Sequence, residues 1–364
     1  MSGSSEGLEA APDPSGALSP VPITADERIV LIPPHVPSGP ARVRSGGAVH
    51  EVAGETMGTT WSMRAVVNNA VVLEQVRGRV ERVFARIIAQ MSTWDSQSDI
   101  SRFNDGPAGS CHALETEFFH VLNAALRLAR ETCGAYDPTS GALVDLWGFG
   151  AKPWNGEEPS AADVQSVLQS SGWQRLLFDP EGLSITQPGG LRLDLSSIAK
   201  GYAVDAVAAL LKANGVRSFL VEVGGELCGE GVKPDGLPWW VSLSPQGLAG
   251  EAESMLFADP VVALHGFSVA TSGTGIRNRD VGGERVSHLI DPRTGYPVAN
   301  EIVSITVFHK SCMLADAEAT AICILGADEG AAYACRKKLA AVFTIDKGDG
   351  LELRLTPYAK AMLD

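Results

Sequence analysis

Asp316 and Thr320 have the spacing of two side chains that act at one place. They lie four residues apart in a run of small and apolar residues that predicts a helix from Met313 to about Leu325. A helix stacks residues i and i+4 on one face, so the carboxylate and the hydroxyl are expected one turn apart. Oxygen donors of this kind suit a hard cation. The alternative is structural: an aspartate favoured by the helix dipole and a threonine bonded to a backbone carbonyl.

A second group of reactive residues, Asp194, Ser196, Ser197 and Lys200, lies where a strand is expected to turn into a helix. Either serine is expected to cap this helix, which should run from about residue 198 to 211 and stop at an Asn-Gly pair. The free N–H groups and the partial positive charge of a helix start suit phosphate oxygens. The stretch therefore predicts an anion site. The alternative is an ordinary strand–helix corner with solvated polar residues.

His288 and Asp291 are the candidate acid–base groups, because they lie where a predicted strand leads into a turn. A histidine titrates near neutrality and takes a proton from a hydroxyl nucleophile. Lone histidines are more often structural, and Asp291-Pro292 also fits the turn of a hairpin.

Three aromatic residues, Trp61, Trp94 and Tyr136, lie in polar segments, where they could stack on a planar ring or anchor a loop on the core. The glycines at 224, 225, 273 and 275 allow close approach of the backbone. They form neither the dinucleotide-binding pattern nor the P-loop pattern, so the sequence argues against those two classes of nucleotide site.

Helices are expected wherever apolar residues recur at three- and four-residue steps. Besides the two above, they cover about 73–91, 115–132, 161–170 behind a capping box at Ser160, and 328–339. Strands are expected near 29–32, 50–65 with an interruption at 54–61, 173–179, 183–186, 191–195, 218–223, 239–243, 267–271, 285–290, 302–308 and 341–345. The polar segment 92–105 is expected outside the core. Tight turns between neighbouring strands indicate antiparallel sheets packed against helices, so the predicted fold class is α+β.

Net charge, cysteine spacing and composition limit the binding partners and the cellular compartment that we expect for this chain. A net charge of −14 over 364 residues argues against nucleic acid as a partner. The six cysteines lack a C-x-x-C spacing, which predicts buried free thiols.

Residues 1–48 are rich in Pro, Gly and Ser and predict a flexible tail before one folded unit at 49–364. No apolar run is long enough for a transmembrane segment, and no signal peptide or lipobox is visible. The chain as written is therefore expected in the cytoplasm, or in the periplasm with a membrane anchor if a signal has been lost.

Eight segments, in this order and spacing, resemble the FAD:protein FMN transferase (ApbE) family. They cover about residue 50 to the C-terminus and comprise Glu55-Thr-Met-Gly-Thr-Thr60, Met91-Ser-Thr-Trp-Asp95 with Ser101-Arg-Phe-Asn104, Gly134-Ala-Tyr-Asp-Pro-Thr139, Asp194-Leu-Ser-Ser-Ile-Ala-Lys-Gly-Tyr202, Val223-Gly-Gly-Glu226, Ala270-Thr-Ser-Gly273, Ser287-His-Leu-Ile-Asp-Pro-Arg-Thr-Gly295 and Ala315-Asp-Ala-Glu-Ala-Thr-Ala321. The resemblance implies an ApbE-like fold and an enzyme with Mg²⁺ as cofactor and FAD as substrate. Such an enzyme attaches FMN through a phosphoester to a Thr or Ser of an acceptor flavoprotein and releases AMP.

The resemblance also implies roles for individual residues. The metal ligands would be the side chains of Asp316 and Thr320 and the backbone carbonyl of Ser197, and His288 would be the base for the acceptor hydroxyl. The FAD contacts would be Met57, Trp94, Ala135, Tyr136, Asp137, Asp194, Lys200 and Ile290. Two alternatives stay open: an FAD pyrophosphatase that yields FMN and AMP, and a non-catalytic FAD-binding protein. The Asp316/Thr320 pair argues against the second. The family usually carries a signal and a lipobox cysteine, so their absence here leaves the family's periplasmic location in doubt.

Overall fold

The computed structural model describes residues 18–20, 29–33, 47–243, 260–275, 277–348 and 350–363. It contains helices and mostly antiparallel sheets, which confirms the predicted α+β class. The helices are α1 (Ala70–Met91), α2 (Asp99–Asn104), α3 (Thr116–Glu131), α4 (Gly141–Leu146), α5 (Ala161–Ser170), α6 (Ala199–Ala213), α7 (Cys312–Arg336) and α8 (Pro357–Lys360). The strands are β1 (Ser19–Pro20), β2 (Val30–Leu31), β3 (Ala48–Thr56), β4 (Thr59–Val67), β5 (Cys111–Ala113), β6 (Leu177–Asp179), β7 (Ser184–Thr186), β8 (Phe219–Val223), β9 (Glu226–Glu230), β10 (Trp239–Ser242), β11 (Val261–Leu264), β12 (Phe267–Gly273), β13 (Asn278–Val281), β14 (Glu284–Ser287), β15 (Ile302–His309), β16 (Ala340–Asp346) and β17 (Leu351–Leu355).

Nine strands form one large antiparallel sheet in the order β1-β17-β16-β15-β12-β9-β8-β4-β3. Tight turns join several neighbours. Met57 and Gly58 link β3 to β4 with φ angles of 51° and 73°, the positive sign that a two-residue type I′ hairpin turn needs. Gly224 and Gly225 link β8 to β9 with φ angles of 62° and 100°. The predicted strand interruption over 54–61 is therefore wrong, because only two residues separate β3 from β4.

Apolar side chains cover both faces of this sheet. On one face, α1, α6 and α7 pack on the strands through residues such as Val204, Ile322 and Ile305. On the other face, β10, β11 and β2 form a small sheet, and Trp239 packs in the same cluster as Phe308. Burial of α6 and α7 against the large sheet fixes the frame on which the polar site is built.

A third apolar cluster joins α4 and α5 to the two-stranded sheet β13–β14. Its members include Leu143, Trp147, Val164, Val281 and Ile290. The hairpin that precedes His288 is thus supported by this small cluster rather than by the large sheet.

Two segments differ from the sequence prediction. Residues 92–105, expected outside the core, contain α2, and Ile100 and Phe103 are fully buried. Residues 191–195, expected to form a strand, make one isolated bridge at Arg192, although the leucines at 191, 193 and 195 are buried as their alternation predicted. Asn104 explains both differences, since its side chain accepts from Leu193 N at 2.7 Å and donates to Leu193 O at 2.9 Å. These two bonds replace those of a neighbouring strand.

Smaller corrections concern one strand, one helix and the cysteines. The strand expected at 173–179 is a 3₁₀ turn followed by β6. The helices expected at 313–325 and 328–339 form α7, which kinks at Gly326 (φ 84°, ψ 176°). All six cysteines are free, and those at 228, 312 and 323 are buried. The prediction of burial is wrong for Cys111 and Cys133, which are exposed.

Two short pieces of the segment predicted as a tail are described. Strand β1 pairs with β17, and β2 pairs with β11, which confirms the strand expected at 29–32. Most of the remaining residues of that segment lie outside the described ranges. Within the described ranges, no helix combines the length and the apolar character needed to cross a membrane.

Candidate active site

The site is organised around the crossing of α6 and α7. Gly201 of α6 lies so close to α7 that a Cβ atom there would be 2.8 Å from the Cβ of Asp316 and would also overlap the backbone of Cys312. A glycine is therefore required here by contact. The crossing presses the start of α6 against the first turns of α7.

Asp316 accepts a hydrogen bond from the backbone of α6, with its Oδ2 3.0 Å from Gly201 N. Gly201 is in the first turn of α6, whose N–H groups have no carbonyl partner within the helix, so another group has to accept from this one. The bond therefore holds the Asp316 carboxylate at the start of α6, the helix end that Ser197 precedes. The predicted serine cap is wrong, since Ile198 occupies the N-cap position and its side chain makes no capping hydrogen bond.

Thr320 lies one turn after Asp316, and both residues are buried. The Thr320 hydroxyl oxygen is 3.0 Å from the Ser272 hydroxyl oxygen at the end of β12. This hydroxyl pair replaces the bond to a backbone carbonyl that the structural alternative requires. Strand β12 therefore supplies a further oxygen atom beside the pair predicted from the helix periodicity.

A cluster of Lys200, Glu226 and Asp316, called here the carboxyl–lysine cluster, completes the centre. Lys200 Nζ forms an ion pair with Glu226 Oε1 and lies 3.9 Å from Asp316 Oδ1. Burial by itself lowers the pKa of Lys200, but the two carboxylates more than offset it and raise that pKa. Burial raises the pKa of Glu226 and of Asp316, and Lys200 opposes both shifts. Two carboxyl groups thus share one ammonium group, and the raised pKa of each indicates that ionisation of both is unfavourable without further positive charge.

This donor set fits a hard divalent cation. A carboxylate, a hydroxyl and a backbone carbonyl are the oxygen ligands that Mg²⁺ prefers, and few protein ligands leave positions for phosphate oxygens. Within the described residues, Glu226 Oε2 is buried without a hydrogen-bond partner, in line with a centre short of positive charge. No group of three or more His, Cys, Asp or Glu side chains in the described ranges is placed to bind a metal. A cation at this site would therefore depend on the mixed oxygen set of Asp316, Thr320 and Ser197.

Tyr136, Asp137 and Asp194 lie beside the start of α6. The Ser197 hydroxyl donates to the Tyr136 hydroxyl at 3.2 Å, and burial raises the pKa of Tyr136, so the phenol stays protonated. Asp137 accepts from the Thr139 N–H and hydroxyl and from Trp173 N–H. Its carboxylate thus holds the loop, and a contact of Asp137 with a ligand would have to use its backbone or share those bonds.

His288 follows β14 and is half-buried. Its Nδ1 is 3.1 Å from the Arg277 carbonyl oxygen. A carbonyl only accepts, so Nδ1 carries the proton and Nε2 keeps a free lone pair in the neutral ring. Burial lowers the pKa of His288 to about 4, and the charges of Arg277 and Lys200 act in the same direction. The Lys200 ammonium is thus close enough to disfavour the charged form of His288.

Asp291, the other predicted acid–base candidate, belongs to a turn. Its backbone carbonyl accepts from Gly295 N at 2.8 Å, and its carboxylate pairs with Arg293 at 2.8 Å. The structure therefore favours the alternative that Asp291 is a turn residue.

The other predicted FAD contacts are spread around this centre. Met57 occupies the β3–β4 turn with φ 51°, Trp94 is 65% exposed, and Ala135 and Ile290 are buried. In the described part of the chain, no hydrogen bond joins these four residues to the carboxyl–lysine cluster, so their roles stay predictions. Trp61, the third aromatic candidate, is a core residue of β4.

A cavity of about 700 Å³ lies beside the β13–β14 hairpin. Its lining includes Thr274, which follows β12, Ser287, which precedes His288, and the half-exposed Tyr296. None of the eight predicted FAD contacts belongs to the lining. The cavity thus borders the residue before His288, while His288 itself is not part of its lining.

Sequence reasoning singled out neither Glu226 nor Ser272 as a site residue. Each lies in a segment with a visible signal, because Glu226 follows two glycines and Ser272 ends a predicted strand. Their pairing with Lys200 and Thr320 joins distant parts of the chain, which only the sheet order reveals.

Comparisons with known proteins identify the family of this chain. The ApbE family model matches residues 57–343. The FAD:protein FMN transferase of Vibrio cholerae is 32% identical over 302 residues, covering 83% of this chain and 89% of that protein. The FAD:protein FMN transferase of Escherichia coli K12 is 31% identical over 314 residues, covering 85% and 88%. The apo crystal structure of the Pseudomonas stutzeri flavinyl transferase ApbE superposes with a TM-score of 0.77 at 36% identity, covering 87% of this chain and 97% of that one.

Proposed function

The chain belongs to the ApbE family, and we propose that it is an FAD:protein FMN transferase. In this reaction, FMN passes from FAD to a Thr or Ser hydroxyl of an acceptor flavoprotein, forms a phosphoester there, and AMP is released. The observation that supports the proposal is the bond from Gly201 N to Asp316 Oδ2, because it holds a buried carboxylate at the start of α6, the helix end that Ser197 precedes.

The proposed metal ligands are Asp316, Thr320 and the Ser197 carbonyl. Mg²⁺ bound there would neutralise charge on the pyrophosphate oxygens of FAD. Lys200 adds a fixed positive charge at the start of α6, where backbone N–H groups also favour phosphate. The proposed FAD contacts are those predicted from the resemblance: Met57, Trp94, Ala135, Tyr136, Asp137, Asp194, Lys200 and Ile290.

His288 is the proposed base. The acceptor hydroxyl gives its proton to Nε2, while Nδ1–H stays bonded to the Arg277 carbonyl and holds the ring orientation. The acceptor oxygen then forms a bond to the FMN phosphorus. The bond from that phosphorus to the bridging oxygen breaks, and this oxygen leaves with AMP. Positioning and charge neutralisation carry such a transfer, and no covalent enzyme intermediate is needed.

The acceptor segment is proposed to reach His288 from the cavity beside the β13–β14 hairpin. Ser287 lines this cavity and is the neighbour of His288, whereas the predicted FAD contacts lie outside the lining. FAD and acceptor would thus approach the reacting phosphorus from different sides, as an in-line displacement requires.

The test is an incubation with FAD, MgCl₂ and an acceptor domain that carries a single target Thr. The expected result is an acceptor that gains the mass of one FMN, less water, with equimolar AMP and no gain when Mg²⁺ is chelated. An Asp316→Ala variant is expected to release no AMP, and full activity in that variant would contradict the metal assignment. Free FMN with an unmodified acceptor would identify a pyrophosphatase, and tightly held FAD without AMP would identify a binding protein.

A further inference from the structure

Asp205 of α6 accepts a further set of hydrogen bonds from α7, in the opposite direction to the bond that Asp316 accepts from Gly201. Its Oδ1 accepts from Cys312 N at 2.8 Å, and its Oδ2 accepts from Met313 N at 3.0 Å and from the Ser311 hydroxyl at 2.7 Å. These donors form the first turn of α7, where free N–H groups and the helix dipole favour a negative charge. A side chain of α6 therefore caps the start of α7.

The two helices cap each other. On α6, Gly201 and Asp205 are four residues apart and face α7; on α7, Cys312 and Asp316 are four residues apart and face α6. Each helix accepts backbone N–H groups of the other through one carboxylate. With bonds at both ends of the contact, sliding of one helix along the other breaks a charged hydrogen bond in either direction.

We propose that Asp205 is a positioning residue for the metal site of the proposed function. The distance between the Asp316 carboxylate and the Ser197 carbonyl depends on how α7 is seated against the start of α6. Asp205 fixes that seating one turn before Asp316, because it holds the first turn of α7. A metal tolerates little displacement of its ligands, and groups that orient ligands affect affinity strongly.

The ring of partners around Asp205 supports a fixed orientation. The Ser311 hydroxyl accepts from Leu314 N, so its proton is free to be donated to Asp205. Both carboxylate oxygens of Asp205 thus accept, and no donor is required of this side chain. An asparagine at 205 would turn one acceptor into an NH₂ group facing an N–H or a hydroxyl.

The test compares Asp205→Asn with Thr356→Ala in the full chain without FAD or acceptor. Thr356 is a matched control, because its buried hydroxyl also caps a helix, α8, and bonds to Ala341 N. Both variants are expected to lower the melting temperature. Asp205→Asn is expected to weaken Mn²⁺ binding about 10-fold by electron paramagnetic resonance titration, whereas Thr356→Ala leaves the Mn²⁺ affinity unchanged.

A second readout needs no metal. In the metal-free protein, amide hydrogen exchange at Gly201 is expected to be about 10-fold faster in Asp205→Asn, because its acceptor Asp316 is no longer held in place. If Asp205→Asn folds poorly, Ser311→Ala removes one of the donors and is expected to shift both quantities less, in the same direction. Unchanged Mn²⁺ affinity together with unchanged Gly201 exchange would reduce Asp205 to a simple cap and overturn the proposal. If both readouts confirm the role of Asp205 but the protein transfers no FMN, only the proposed function is contradicted, since neither readout involves FAD.

Discussion

At the α6–α7 crossing, the proposed metal ligands Asp316 and Thr320 are buried, and carboxylates bond to backbone N–H groups from both helices. The proposed base, His288, follows a two-stranded hairpin and is half-buried. That hairpin is held by a small apolar cluster and by Arg279, whose guanidinium lies 4.4 Å from the Trp154 ring centroid and donates to the Gly148 carbonyl at 2.7 Å. A two-stranded sheet is only marginally stable alone.

Because the two regions are held so differently, we expect the helix crossing to serve metal binding and the hairpin to serve proton transfer. A cation needs ligands fixed before it arrives, and two packed helices provide that rigidity. The base must admit a protein segment, and a hairpin beside a cavity can move to do so. Substitutions at the crossing should therefore change metal binding and stability together, whereas substitutions at the hairpin should change the transfer rate and leave metal binding unchanged.

The largest effect is expected from His288→Gln. Loss of a positioned base lowers a proton-transfer step by about 10²–10⁴-fold, so the rate of acceptor modification should fall within that range. Mn²⁺ affinity should stay at the wild-type value, because His288 is not among the proposed ligands. A rate within threefold of wild type would remove His288 from the mechanism.

Gly201→Ala is expected to act at the crossing. The added methyl group would meet the Cβ of Asp316 and the backbone of Cys312. Such overpacking costs about 1–3 kcal/mol in the free energy of unfolding, and the displaced carboxylate should bind Mn²⁺ more weakly. Denaturant titration and metal titration check both effects. Gly78→Ala in α1 is the control for replacing a helical glycine without a clash, because its added Cβ would meet only the Arg82 guanidinium, at 3.8 Å. If Gly201→Ala lowers stability but binds Mn²⁺ with wild-type affinity, stability and metal binding are not linked at this crossing, contrary to the account.

The pH dependence of His288 separates the hairpin from the crossing. Burial lowers its pKa from 6.5 to about 4, so the ring is neutral and able to accept a proton above that value. The acid limb of kcat/KM should therefore lie near pH 4 instead of near 6.5. As pH falls from 6.5 to 4, the unfolded chain binds a proton that the folded ring refuses, so stability should fall across this window. The fall should be smaller in His288→Gln, measured as the urea midpoint against pH, and identical profiles would contradict the assignment.

The smallest effect is expected from Arg279→Ala. Arg279 is partly exposed, and a cation–π contact at such a site contributes about 0.5–1 kcal/mol, so stability should change only modestly. The hairpin should loosen, and the rate of acceptor modification should fall several-fold at unchanged Mn²⁺ affinity. A changed Mn²⁺ affinity with an unchanged rate of acceptor modification would contradict the assignment of metal binding to the crossing and of proton transfer to the hairpin.

How far the sequence could predict this site depends on the range of each interaction. Asp316 and Thr320 were paired correctly because helix periodicity alone sets their spacing. The Glu226–Lys200 ion pair and the Asp205 bonds to α7 could not be predicted, since they depend on how strands and helices are stacked. Residues 92–105 were misjudged because Asn104 is polar yet buried, satisfied by the backbone of Leu193. The ApbE-like fold was predicted from the order of motifs rather than from any single one.

The most direct test of the central claim is the position of Mn²⁺ in crystals of the metal-loaded protein, located by anomalous scattering. The claim predicts one peak at the α6–α7 crossing, about 2.0–2.6 Å from an Asp316 carboxylate oxygen, the Thr320 hydroxyl and the Ser197 carbonyl. A fully occupied peak elsewhere, with none between these three oxygens, would contradict it.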